Sequence, residues 1–305
     1  MQGTMDANEL LCLVRKRQKD IEKFVFLKLL PKYRSISQTG HFKEWFKLPM
    51  NYVRLIELPL TLELLDVRKA HFILDISSPK LLALYMVVKG HANFCISDIE
   101  DYFVKDFEVY SEVFKVSPII QVFDAKKIPY DRHTFDRIFS ISVLEHIPDT
   151  GDIDVAREVA RVLKPGGVFV FTLPAYSTYL EEWQKQSTAY WPTTTREDGL
   201  VFFQRRYDYN TIIERFSSLG FNIEDIIFIA EKPIKRPVLN ENGMLMHNHY
   251  FLDERWYVKR LNRISKIPLL PYLAARIHSN HYHYLTRDGK DENIRQVAVK
   301  LGANN

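Results

Sequence analysis

Three aspartates stand where a ligand is usually met. Asp75, Asp98 and Asp124 each close an apolar run, FILD at 72–75, FCISD at 94–98 and IIQVFD at 119–124. Asp98 follows Asp75 at roughly the 20-residue spacing of an acid that holds ribose hydroxyls. A carboxylate accepts two hydrogen bonds from a vicinal diol, so Asp98 suits a ribose. A carboxylate or amide at Asp124-Ala125 suits an exocyclic amine such as that of adenine. One aspartate in a turn after a strand would mean little. Three at successive strand ends point to one shared ligand.

These residues need elements to position them. From His71 the pattern alternates between strands and helices: HFILDI, then PKLLALYMVVKG as a helix closed by Gly90, then ANFCISDI, IIQVFDA and FDRIFSISVL as strands. DIDVAREVARVL reads as a helix, GGVFVFTLP as a strand, YNTIIERFSSLG as a helix and FNIEDIIFIA as a strand. IRQVAVKL near the end reads as one more strand. Alternation of this kind implies an α/β fold, with a doubly wound, mostly parallel sheet covered on both faces. Ligands then bind beyond the carboxyl ends of the strands, at the switch point of strand order.

The chain divides accordingly. Residues 1–68 read as a helical extension, opened by a capping box at Asp6-Ala-Asn-Glu9. Residues 69–234 and 290–303 form the α/β core. Residues 235–289 read as an inserted, aromatic and basic helical segment, a lid or acceptor region.

Composition bounds the function. The chain has 305 residues, 46% hydrophobic and 26% charged, with a net charge of +4. That charge is too mild to imply a nucleic-acid partner. Two cysteines, Cys12 and Cys95, have no metal-type spacing, so no metal site is expected and a reducing compartment is. No apolar run reaches the roughly 20 residues that span a bilayer. The start lacks the pattern of an export signal. A cytoplasmic protein is expected.

The string DAKKIPYDRHTFDRIFSISVLEHI followed by REVARVLKPGGVFVFTLP resembles the class I S-adenosylmethionine-dependent methyltransferases, of the type 11-like group acting on small molecules and lipids. The resemblance covers roughly residues 70–230. It implies a seven-stranded Rossmann-like sheet with an antiparallel last strand, S-adenosylmethionine as cofactor, and methylation of a small-molecule or lipid acceptor. By position, it implies Asp98 with Ile99 as the ribose site and Asp124 with Ala125 as the adenine site. Ser140 and Ile141 match the stretch whose backbone approaches the methionine end, and Asp75, Ile76 and Ser77 match the loop after the first strand.

That loop departs from the family. The expected Asp-x-Gly-x-Gly-x-Gly keeps Asp75 but holds Ser77, Pro79 and Leu81 at the glycine positions. Ser77 or Ser78 reads as a helix N-cap, with Pro79 at the first helical position. Two readings follow: a cofactor turn rebuilt around a capped helix, or a decayed site in a non-catalytic or weakly binding interaction protein. The first is preferred because the other elements of the pattern are intact.

Methyl transfer is a displacement at an activated carbon, so the protein chiefly positions the acceptor. Where the acceptor loses a proton, Glu145 and His146 are the nearest candidate bases. His146 can equally cap or pack locally. Arg205 and Arg206 either bind an acidic group or form a surface turn. Residues 255–277 combine a basic stripe with an apolar one, a pattern that packs on a core or lies on an anionic membrane. Peripheral membrane contact is the expectation in the second case.

Overall fold

A computed structural model describes residues 5–40, 54–91, 93–185, 193–232 and 270–304. Among these residues the main sheet has eight strands. In chain order these are β1 (Phe72–Ile76), β2 (Asn93–Asp98), β3 (Ile119–Val122), β4 (Phe135–Ile141), β5 (Leu163–Pro174), β8 (Phe221–Glu231), β9 (His283–Thr286) and β10 (Ile294–Ala303). A separate two-stranded sheet pairs β6 (Leu180–Gln184) with β7 (Val201–Arg206). The large sheet runs β3-β2-β1-β4-β5-β10-β8-β9. Pairing is parallel from β3 through β5. β10 is antiparallel to both β5 and β8, as the expected fold requires.

The period-2 alternation of the strands sorts their side chains onto two faces. Ile73, Ile96, Val168 and Val170 face one core, and Leu74, Cys95, Phe169 and Phe171 face the other. The first core is covered by α1 (Ala7–Phe24), α2 (Arg54–Leu65), α3 (Lys80–Val88) and α4 (Val104–Phe114). The second is covered by α5 (Gly151–Val162) and α6 (Tyr209–Phe216). On α5, Val155, Ala156, Val159 and Val162 recur at helical spacing and are all buried. Gly90, at φ 74°, takes the left-handed conformation that ends α3.

The sheet has one strand more than the seven expected. β9 adds antiparallel to β8, pairing Phe228 with Thr286 through Glu231 with His283. It follows α7 (Leu270–Tyr282), whose Arg276 pairs with Glu22 of α1 at 3.0 Å. The end of the expected 235–289 insertion is therefore built into the sheet edge; 235–269 lie outside the described residues. Four residues, HYLT, are too short for the periodicity to separate from the helix before them.

Candidate active site at the carboxyl ends of β1, β2 and β4

The strand order reverses at β1, which lies between β2 and β4. Just beyond it, Ser77 has φ 53°. This is the left-handed region that a glycine enters freely and a serine enters at a cost of roughly 1 kcal/mol. The turn thus keeps a glycine-like backbone path without the glycine. Two hydrogen bonds hold it there. The Ser77 N–H donates to Ser97 O at 3.0 Å, and the Ser78 N–H donates to Asp75 Oδ1 at 3.0 Å.

Neither serine caps α3. Pro79 occupies the cap position with φ −54° and ψ 120°, and no side chain caps the helix start. The Ser78 hydroxyl instead accepts the Ile141 N–H at 3.0 Å, reaching across to β4. Ser140 donates its hydroxyl to Ile76 O at 3.1 Å, and Ser97 donates its own to Asp75 O at 2.7 Å. These buried bonds lock the ends of β1, β2 and β4 together.

Lys80, the first residue of α3, is 1% exposed. Its Nζ donates to Ser97 O at 3.0 Å. It lies 3.1 Å from Asp98 Oδ2 and 3.8 Å from Asp75 Oδ2. Asp75 is fully buried, and its Oδ2 makes no hydrogen bond among the described residues. Burial raises the Asp75 carboxyl to about 6, against the pull of Lys80 and Ser78. Asp98 Oδ1 accepts the Ile99 N–H at 2.9 Å, and its Oδ2 accepts the Tyr102 hydroxyl at 3.0 Å.

Asp124 is placed differently. The Phe123 N–H donates to Asp98 O at 3.0 Å, so the two aspartates share one sheet edge. The Asp124 side chain closes its own turn, accepting the Lys126 N–H at 2.9 Å, and remains half exposed. Ala125 packs against the second core. Ile99 is 40% exposed beside Asp98, whereas the Ile76, Ser140 and Ile141 side chains are buried.

A second polar cluster lies beyond β4 and β5. Glu57, on the apolar helix α2, is fully buried. It accepts from Ser142 Oγ at 2.9 Å and Gln296 Nε2 at 2.8 Å, and also from Arg54 and Thr172. Glu145 is buried nearby, and its Oε2 has no hydrogen-bond partner among the described residues. Burial, reinforced by the Glu57 charge, pushes its carboxyl up to about 8, so it is protonated at neutral pH.

His146 Nε2 lies 3.8 Å from Glu145 Oε1. Its Nδ1 is 2.9 Å from Phe203 O on β7. A carbonyl can only accept, so Nδ1 carries the hydrogen and Nε2 the lone pair. Burial lowers the His146 pKa and keeps the ring neutral. The β6–β7 sheet therefore fixes the tautomer of the candidate base. Arg205 of β7 supports the same loop. It is 1% exposed and donates to Ile147 O at 2.6 Å and to Asp149 O. It is neither a surface turn nor open to an acidic ligand.

A family profile described as "Methyltransferase domain" matches residues 74–171. This stretch, from β1 to β5, is thus similar to a methyltransferase domain. A 44-residue stretch is 50% identical to Methyltransferase GfsG of Streptomyces halstedii; it spans 14% of this chain and 15% of that protein. An S-adenosylmethionine-dependent methyltransferase from Clostridium acetobutylicum aligns with 87% of this chain and 98% of its own, at 13% identity and TM-score 0.48. The Haemonchus contortus phosphoethanolamine N-methyltransferase 2, solved with S-adenosyl-L-methionine, aligns with 80% of this chain and 52% of its own, at 16% identity and TM-score 0.45.

The acceptor set at Asp98 has the chemistry that the adenosyl end of S-adenosylmethionine would need. Asp98 Oδ2 already takes a hydroxyl, that of Tyr102, a residue 54% exposed. A ribose hydroxyl asks for the same acceptor. Among the described residues, no group of three or more His, Cys, Asp or Glu is placed to hold a metal ion. Lys80, Tyr102, Arg54 and Glu57 escaped the sequence reading. Lys80 and Glu57 leave one trace: Lys80 opens, and Glu57 interrupts, an otherwise apolar helical run, KLLALYMVV and LIELPL.

Proposed function

We propose that this protein transfers a methyl group from S-adenosylmethionine to a small-molecule or lipid acceptor. The observation that carries the reading is the meeting of Asp75 and Asp98 on one buried ammonium, Lys80, beside the left-handed Ser77 turn. Asp98 with Ile99 would hold the ribose, and Asp124 with Ala125 would meet the adenine. Asp75, Ile76 and Ser77 shape the loop, and Ser140 and Ile141 close the methionine side. The cofactor supplies an electrophilic methyl on a sulfonium centre. His146 accepts the acceptor's proton at Nε2, and neutral Glu145 sits beside it without competing as a charged base.

A lipid acceptor and a peripheral membrane site gain support from Leu273 and Ile277. They lie one turn apart on α7 and are 44% and 57% exposed. Residues 255–269 of the expected membrane stretch lie outside the described residues. The free thiols of Cys12 and Cys95 accord with action in the cytoplasm.

A second reading keeps the fold without the activity, as an interaction module. It is favoured by the Tyr102 hydroxyl, which satisfies Asp98 Oδ2 from within the chain. Isothermal titration with S-adenosylhomocysteine separates the two. Saturable binding supports the enzyme; no binding at millimolar ligand supports the interaction module.

A further inference from the structure

Lys80 is an unusual residue to find at the foot of this site. An ammonium withdrawn from water costs several kcal/mol unless it is paired and hydrogen-bonded, and an apolar residue of the same volume is often at least as stable. Stability alone therefore does not account for it. Its contacts are directional. One proton goes to Ser97 O at 3.0 Å, another faces Asp98 Oδ2 at 3.1 Å, and the Phe103 ring covers Nζ at 4.7 Å. The nearer carboxylate is Asp98, not Asp75, which is 3.8 Å away.

Asp98 thereby meets four donors. The Ile99 and Glu100 N–H groups hold Oδ1, at 2.9 and 3.5 Å, while Lys80 and the Tyr102 hydroxyl share Oδ2. Lys80 reaches it from the buried side. The Tyr102 hydroxyl comes from a residue that is 54% exposed and can yield its place to a ligand hydroxyl.

We propose that Lys80 is a cofactor-positioning residue, which orients the Asp98 carboxylate from inside the protein toward the ribose of the adenosyl group. Lys80 acts through Asp98 and does not touch the ligand. It supplies order to a site whose first turn lacks its glycines. The proposal rests on the methyltransferase reading and extends it to a residue that the family's glycine pattern does not include.

The test uses two probes, 5′-methylthioadenosine and its 2′-deoxy analogue, titrated calorimetrically into the unaltered protein, Lys80→Met and the charge-balanced Lys80→Met/Asp75→Asn. Circular dichroism verifies the fold of each. The unaltered protein should prefer the riboside by about 10- to 100-fold, the worth of a hydrogen bond to a charged group. In both variants that preference should shrink to within about threefold, the riboside losing more affinity than the deoxy analogue, which keeps its 3′-hydroxyl. Equal losses for both probes would make Lys80 a structural tie and overturn the proposal, as would a preserved preference in either folded variant. Failure of the unaltered protein to bind the riboside is a different result: it removes the methyltransferase reading itself, and this proposal with it.

Discussion

The Ser78 hydroxyl accepts the Ile141 N–H at 3.0 Å, joining the turn after β1 to the end of β4. Ser78 and Ile141 are both buried, so water does not stand ready to replace the bond. Ser78→Ala should leave a buried N–H unsatisfied and cost about 1–3 kcal/mol. Urea denaturation of the two proteins measures this. A loss well below 1 kcal/mol would mean that the bond is not made.

The same turn makes a sharper backbone prediction. Ser77 sits at φ 53°, where a β-branched residue is strongly disfavoured and glycine is not. Ser77→Gly should change stability by no more than about 1 kcal/mol, because relief of strain offsets the added chain entropy. Ser77→Val should cost about 2 kcal/mol or more. Thermal melting of both variants tests the pair. Equal effects would contradict the left-handed geometry.

Why the turn was only half legible follows from these residues. The strand ends at Asp75 and Asp98, the Gly90 stop and the alternating strands are legible because burial and periodicity act locally along the chain. The N-cap expected at Ser77 or Ser78 failed because tertiary bonding took its hydroxyl: Ser78 Oγ serves Ile141, sixty-three residues away. The Glu57 cluster was invisible for the same reason. Its donors come from α2, β5, β10 and the turn after β4, and only the folded sheet brings them together. The Arg205 role was hidden too, since its acceptors Ile147 and Asp149 belong to another loop.

Glu145 gives a pH prediction with a definite sign. Its carboxyl keeps its proton to about 8 in the folded protein, against an ordinary value of 4.5. Between these values the folded state binds one proton more than the unfolded chain. Stability contributed by this group is therefore full below about 4.5 and is lost as pH rises toward about 8. Glu145→Gln removes the titration. The unaltered protein should lose on the order of 1–3 kcal/mol relative to the variant between pH 5 and pH 8. Taking the difference between the two proteins cancels the contribution of Asp75. Parallel stability curves across that range would refute a buried neutral Glu145.

His146 should affect the reaction and not the cofactor. If the acceptor sheds its proton to Nε2, His146→Gln should lower kcat by about 100- to 10,000-fold. Affinity for S-adenosylhomocysteine should remain within about threefold, since the imidazole is held by the Phe203 carbonyl beside Glu145 and the proposed ribose acceptor is Asp98. Methyl-transfer kinetics together with calorimetry read the two quantities separately. An unchanged kcat would reduce His146 to a packing residue.

Arg205 joins stability to that chemistry. Its planar guanidinium spans two carbonyls, Ile147 O and Asp149 O, and faces Asp152 at 4.0 Å and Glu181 at 3.5 Å. Asp152 is itself held by Tyr207 at 2.8 Å and by Arg215 at 2.7 and 2.6 Å, so removing Arg205 leaves it paired. The loss then falls chiefly on the loop that carries Glu145 and His146. Lysine offers a point charge that cannot bridge both carbonyls. Arg205→Lys should cost about 2–4 kcal/mol of stability and should also lower kcat, with cofactor affinity preserved. Denaturation and kinetics on one preparation test both halves. A stability loss with kcat intact would show that the loop holds its shape without Arg205, and that the β6–β7 sheet positions His146 through the Phe203 carbonyl alone.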